Sequence, residues 1–209
     1  MKDIEFFLPE DIERRSFEII ESELTAEIDE EKKPIVKRII HATADFSYEK
    51  SLKFSEGAVE AGIDAIRNGC GIITDTNMAK AGINKKALEK FGGEVYCFMA
   101  DSDVSQEAAK NGTTRAAAAV DKSAGIKGPL IYVVGNAPTA LIRLYEHIKN
   151  GTIMPAMIIG MPVGFVNVVE SKELIMELSV PYIVAEGRKG GSNVAAAAVN
   201  ALIYMAGGR

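Results

Sequence analysis

Proton chemistry near neutral pH has few carriers in this chain. Only two histidines occur, His41 and His147, and an imidazole with an unperturbed pKa near ~6.5 is the side chain suited to giving a proton at pH 7. His41 stands in IIHATADFSY, residues 39–48, after the apolar run 35–40 and before a cluster of small hydroxylated and acidic residues. It reads two ways, as a satisfied side chain at the end of a buried helix or as the proton donor of an active site. His147 falls late in a helix, close to Lys149, where a cation complements the dipole, and reads as structural or exposed. Asp45, four residues beyond His41, would orient the ring if the helix continued, or would cap the next element.

Other groups point to anion binding. Arg115 and Arg188, the latter beside Lys189, are suited to meeting carboxylates, arginine in bidentate fashion. Aspartates at 45, 75, 101 and 103 invite a Mg²⁺ reading, but their spacing matches no metal-binding loop, and capping or solvated turns account for such residues. Cys70 and Cys97 are the only cysteines. Both lie among apolar residues and read as reduced core thiols, and with two distant histidines they give no zinc spacing. No metal site is expected.

The elements that must position these groups alternate. Helices are expected over 9–24, with Pro9, Glu10 and Asp11 in the first turn, then from residue 34, over 56–68 closed by Gly69, and over 113–123, 138–149, 168–178 and 193–205. Short apolar strands are expected over 71–74, 95–99, 130–134 (LIYVV), 156–159 and 182–185. Such alternation predicts an α/β fold, doubly wound, with a mainly parallel sheet and helices on both faces. With no linker, repeat or low-complexity tract, residues 1–209 read as a single domain with extra N-terminal helices.

In such a sheet, ligands bind at the carboxyl ends of the strands. Those ends carry TDTNM (74–78), the Asp101–Asp103 cluster, TTR (113–115), GNAPTAL (135–141), GMPVGFV (160–166) and EGRKGGS (186–192). Several are glycine-rich turns entering a helix, where backbone N–H groups favour an anion. None matches a nucleotide fingerprint. Together they predict a broad site for a large polyanion. Thr76 and Met78 are candidates to line it. Asn136 either caps the helix after Pro138 or meets a substrate amide or carboxylate. Tyr48, Met157, Met161 and Phe165 either pack on a flat ligand or fill the core.

A net charge of −5 lacks the basic footprint of nucleic-acid binding. No apolar run approaches the ~18 residues of a membrane span, and residues 1–15 contain no signal-peptide apolar segment, so a cytoplasmic protein is expected.

HATAD, ITDTNM, TTRAAAA, VVGNAPTAL, PAMIIGMPVGFV, ESKELI and VPYIVAEGRKGGSNVAAAAVNAL occur here in order. The series closely resembles the precorrin-8X methylmutase family, which includes the cobalt-precorrin-8 methylmutases, from about residue 12 to 202. One departure is Asn167-Val168-Val169 between GFV and ESK, where the family usually has small residues. The resemblance implies an isomerase that moves a methyl group from C-11 to C-12 of a contracted tetrapyrrole, without organic cofactor, as a homodimer binding substrate near the subunit interface. It implies that His41 is catalytic and Arg115 binds substrate. The family's arginine–serine pair matches Arg15 and Ser16, which otherwise read as a solvated helix face. The carboxylate-rich tetrapyrrole fits the polyanion site read from the loops. A non-catalytic carrier that hands on the corrin would use the same pocket. A nucleotide-binding protein would need the phosphate loop that the sequence lacks, and a purely structural subunit would not need polar residues crowding the strand ends.

Overall fold

The apolar runs become the strands of one six-stranded sheet, ordered β1-β6-β5-β4-β2-β3. The computed structural model describes residues 6 and 8–208. The side chains of residues 9 and 10 lie outside that description, and with them the expected first-turn role of Pro9 and Glu10. In chain order the elements are α1 (Pro9–Glu23), α2 (Lys33–Thr43), α3 (Tyr48–Ser51), β1 (Leu52–Phe54), α4 (Ala58–Arg67), β2 (Gly71–Thr74), α5 (Asn77–Gly82) and α6 (Lys85–Leu88). After a 3₁₀ turn follow β3 (Glu94–Tyr96), α7 (Ser102–Lys110), α8 (Arg115–Ser123), β4 (Leu130–Val134) and α9 (Pro138–Lys149). The chain continues through β5 (Met157–Gly160), α10 (Val168–Met176), β6 (Tyr182–Ala185) and α11 (Ser192–Ala206).

Every strand pair is parallel except β1 with β6, where Leu52 faces Ala185. The expected α/β architecture is therefore present, with one antiparallel edge strand added. Three residues are too few to show a period, which is why β1 escapes a reading of the sequence. The strand expected over 95–99 stops at Tyr96, whose carbonyl accepts from the Thr74 hydroxyl at 3.0 Å, after which the chain turns with Asp101 N–H bonding to the Phe98 carbonyl. The helix expected from 56 starts at Ala58 because Gly57 takes a left-handed φ of 67°.

Alternation along β4 builds two cores. Ile131 and Val133 join Ile72, Met157, Ile159 and Ile183 under α2, α4 and α11. Leu130, Tyr132 and Val134 join Ile158 and Val184 under α8, α9 and α10. Burying each large aliphatic side chain stabilises the fold by about 1.5–3 kcal/mol, so both faces are covered. Buried alanines from Ala195 to Ala198 let α11 approach α2, α4 and α5 closely. A larger side chain at Ala198, which is wholly buried, would overpack this contact at a cost of about 1–3 kcal/mol.

Strand order reverses between β2 and β4. There the chain has gone out to β3 at the sheet edge and returned to the other side of β2. This switch point opens a crevice at the carboxyl ends.

Candidate active site at the carboxyl edge of the sheet

The loops after β2 and β4 are joined by one buried side chain. Asp75, 6% exposed, accepts from the backbone N–H groups of Gly135, Asn136 and Ala137 at 2.8, 2.8 and 2.7 Å. Burial pushes its pKa above the ordinary carboxylate value, and the three donors oppose that rise. Asp75 thus caps α9 from a neighbouring strand, since Ala137 at its N-cap makes no side-chain cap bond. This corrects two expectations. The N–H groups of Gly135, Asn136 and Ala137 in GNAPTAL are already consumed and are not offered to an anion, and Asn136 does not cap α9. The exposed Asn136 side chain stays at the edge.

Thr76 caps α5 by accepting from Ala79 N–H at 3.0 Å, and its hydroxyl also bonds Ser192 Oγ at 2.8 Å. It ties β2 to the start of α11. Met78, in the first turn of α5, is 72% exposed. Gly135 presses on the same place: a Cβ there would lie 2.7 Å from Ser192 Cα. The loops after β2, β4 and β6 therefore meet.

Arg115 begins α8 and is exposed. Thr114 beside it caps α8 and bonds the Thr139 hydroxyl at 2.8 Å, which sets the start of α8 next to the start of α9. Arg188 holds its guanidinium 5.6 Å from the ring centre of Phe165. Among the described residues, no carboxylate lies within salt-bridge distance of Arg115 or Arg188. Phe165 is 83% exposed, and Val163 and Val166 beside it are also open, whereas Tyr48, Met157 and Met161 are core residues. At the departure from the family pattern, Asn167 takes a left-handed φ of 56° and Val168 is buried, so the changed residues begin α10.

His41 lies in the last turn of α2, exposed, with its ring stacked on Phe17 of α1 at 5.2 Å between centroids. Arg15 and Ser16 precede Phe17. Arg15 pairs with Glu18 at 3.2 Å, and Ser16 bonds back to the Ile12 carbonyl at 2.8 Å. The helix does not continue to Asp45, because Ala44 turns left-handed with φ 53°. Asp45 instead accepts from Ser47 N–H at 2.9 Å and from Lys189 Nζ at 2.6 Å, and Lys189 also reaches Ser47 Oγ at 2.9 Å. The Lys189 ammonium and the Ser47 donors hold the Asp45 carboxyl down at about 2. This bridge carries the His41 end of α2 to the loop after β6.

The remaining titratable groups lie elsewhere. His147 Nε2 contacts Asp121 Oδ1 at 2.6 Å, and Arg143 shares that oxygen at the same distance, so His147 is half-buried and paired rather than exposed. Burial would raise the Asp121 carboxyl, but these two partners outweigh it and the pKa is lowered. Asp101 and Asp103 both bind Lys122. The four aspartates considered for a metal are thus bound to protein donors at three separate places, Asp101 and Asp103 sharing one. Cys70 is buried, its thiol pushed up to about 12 by burial, while Cys97 is only half-buried and both are free. No helix among the described residues is long and apolar enough to cross a membrane.

Reading the sequence missed two residues of this edge, Asp75 as a loop anchor and Lys172. The latter is 1% exposed, and its Nζ donates to the carbonyls of Gly187 at 2.7 Å and Lys189 at 2.8 Å. A signal was available, since Val168, Ser171 and Ile175 form the buried stripe of α10 and a lysine stands within it.

Comparison with known proteins identifies the family. Residues 11–205 match the model of the family described as precorrin-8X methylmutase (CbiC). A cobalt-precorrin-8 methylmutase of Salmonella typhimurium is 47% identical, over 94% of this chain and 95% of the relative. A precorrin-8X methylmutase of Pseudomonas aeruginosa is 40% identical, over 91% and 93%. The crystal structure of precorrin-8X methyl mutase from Thermus thermophilus superposes with a TM-score of 0.87 at 44% identity, covering 95% of this chain and 98% of that one. The chain belongs to the precorrin-8X methylmutase family, isomerases of cobalamin biosynthesis.

Proposed function

We propose that this protein moves a methyl group from C-11 to C-12 of precorrin-8 or cobalt-precorrin-8, giving hydrogenobyrinate or cobyrinate, with His41 as general acid. One observation carries the choice of His41. It is exposed and tied through Asp45 and Lys189 to the carboxyl-edge loops, whereas His147 is held by Asp121 in the last turn of α9, at the end of that helix remote from the edge. The imidazolium protonates the macrocycle beside ring C. The resulting cation permits a suprafacial 1,5-shift of the methyl group, and loss of a proton restores conjugation. Cobalt, when present, belongs to the substrate.

Arg115 and Arg188 meet the acetate and propionate arms, as two edge cations without a carboxylate in salt-bridge distance among the described residues. Arg15, Ser16, Thr76, Met78 and Asn136 complete the substrate contacts. Phe165, Val163 and Val166 offer an apolar surface at the same edge. Residues 1–209 form one domain, and two copies pair as a cytoplasmic homodimer; the exposed Leu8, Ile12 and Ile19 of the α1 region are apolar surface of the kind that marks such contacts.

The test is incubation with precorrin-8 and with its cobalt complex, following the visible spectrum. His41→Ala should lower turnover by about 10²–10⁴-fold, the usual share of general acid catalysis, while still binding the corrin product. Isomerisation at the wild-type rate would overturn the mechanism. Binding of corrin without turnover by the wild type would make the protein a carrier.

A further inference from the structure

Lys172 is a buried ammonium with no carboxylate within salt-bridge distance among the described residues. Its recorded partners are backbone: the carbonyls of Gly187 and Lys189, at 2.7 and 2.8 Å. Between them, the Arg188 carbonyl accepts from Gly164 N–H at 3.2 Å. Three successive carbonyls of the loop after β6 are thus engaged by the protein. Gly191 N–H bonds the Met161 carbonyl at 2.8 Å, and a Cβ at Gly190 would stand 2.2 Å from that same oxygen, so the loop is seated hard on its neighbour.

A carbonyl left at the edge would set a partial negative charge beside an arginine offered to a carboxylate. We propose that Lys172 is a positioning residue for substrate binding: by holding the carbonyls on either side of Arg188 it leaves that guanidinium as the group the loop presents to a carboxylate arm of the tetrapyrrole. The inference rests on the reading that this edge binds a polycarboxylated tetrapyrrole. A lysine kept only to fill the core would be replaceable by an apolar residue of similar length. Burial of this group is the force that draws its pKa down to about 8, so the fold holds the charge against desolvation for the sake of those two carbonyls.

Steady-state kinetics of Lys172→Met, with precorrin-8 or its cobalt complex as substrate, test the role. KM should rise about tenfold, the worth of a charge-assisted hydrogen bond, with kcat within about threefold of wild type. Lys172→Gln, which keeps N–H donors, should recover part of that loss. In an Arg188→Ala background the Lys172→Met change should raise KM less than about twofold, because the group it positions is gone. A folded Lys172→Met enzyme with wild-type KM, a fall in kcat alone, or full additivity with Arg188→Ala would each overturn the proposal. Should Lys172→Met not fold, Lys172→Gln in both backgrounds decides by the same comparison. If wild-type protein turns over neither substrate, the functional reading itself falls. Wild-type turnover with an indifferent Lys172 removes this inference alone.

Discussion

Two turns on this sheet edge look alike in sequence and are built in opposite ways. The loop after β4 lies over a buried anion: Asp75 draws the N–H groups of Gly135, Asn136 and Ala137 inward. The loop after β6 lies over a buried cation, and Lys172 draws in the carbonyls of Gly187 and Lys189. The sign of the charge underneath decides which backbone groups remain for a ligand. A glycine-rich turn entering a helix is an anion site only through N–H groups that are unspent, and after β4 those of residues 135–137 are spent. On the proposed function, anion recognition falls to side chains, Arg115 and Arg188, rather than to the N–H groups of residues 135–137.

Breaking the anion side should have the larger effect. Asp75→Ala leaves three N–H groups without an acceptor, one buried and two part-buried, at about 1–3 kcal/mol for a buried one, and should lower stability by about 3–5 kcal/mol in urea denaturation. A loss below about 1 kcal/mol would mean the loop finds other partners, and the contrast would fail. Lys172→Met should change stability by less than about 2 kcal/mol, since removing a desolvated charge offsets two carbonyls left without donors.

The two charges should also respond oppositely to pH. Lys172 has its folded pKa lowered from 10.5 to about 8. Between those values the unfolded chain binds more protons, so this group's contribution to stability rises with pH across the window. The difference in unfolding free energy between wild type and Lys172→Met should climb from pH 8 to 10. Asp75 is raised above 3.8 by burial. The folded state there binds more protons, so its contribution falls as pH rises from 3.8 through the raised value. Equal slopes in both windows would show that burial does not govern the two sites alike.

The smallest effect belongs to the exposed bridge between Lys189 and Asp45. Asp45→Asn should cost less than about 1 kcal/mol. Because the folded Asp45 pKa is depressed from 3.8 to about 2, the stabilisation is present above 3.8 and lost as pH falls toward 2. A larger loss of turnover than of stability in Asp45→Asn would show that the bridge places His41 as well as binding two segments.

Much of the frame was legible before the fold was known. LIYVV at Leu130–Val134 and the run Gly71–Thr74 coincide with β4 and β2, because fully buried strands must be apolar on both faces. Helix α9 matches its expected span because Pro138 is favoured in a first turn. Helices α5 and α7 were missed, though Thr76 before NMAKAG carried an N-cap signal. The Asp101–Asp103 cluster drew attention to metal chemistry, while in the fold it serves the turn into α7 and binds Lys122.

By itself the sequence determined the alternating strands and helices, the polar edge at the strand ends and the resemblance that singled out His41. These are local or ordered signals, readable because burial imposes a period and a function imposes a motif. Only the tertiary structure decided which residues touch. It separated His41 from His147, ended α2 before Asp45, and put Asp75 under one loop and Lys172 under the other. Those contacts join Asp75 to Ala137 and Lys172 to Gly187 across strands and helices. Sequence carries no record of such pairings, because a buried charge announces that it needs a partner and not where the fold supplies one.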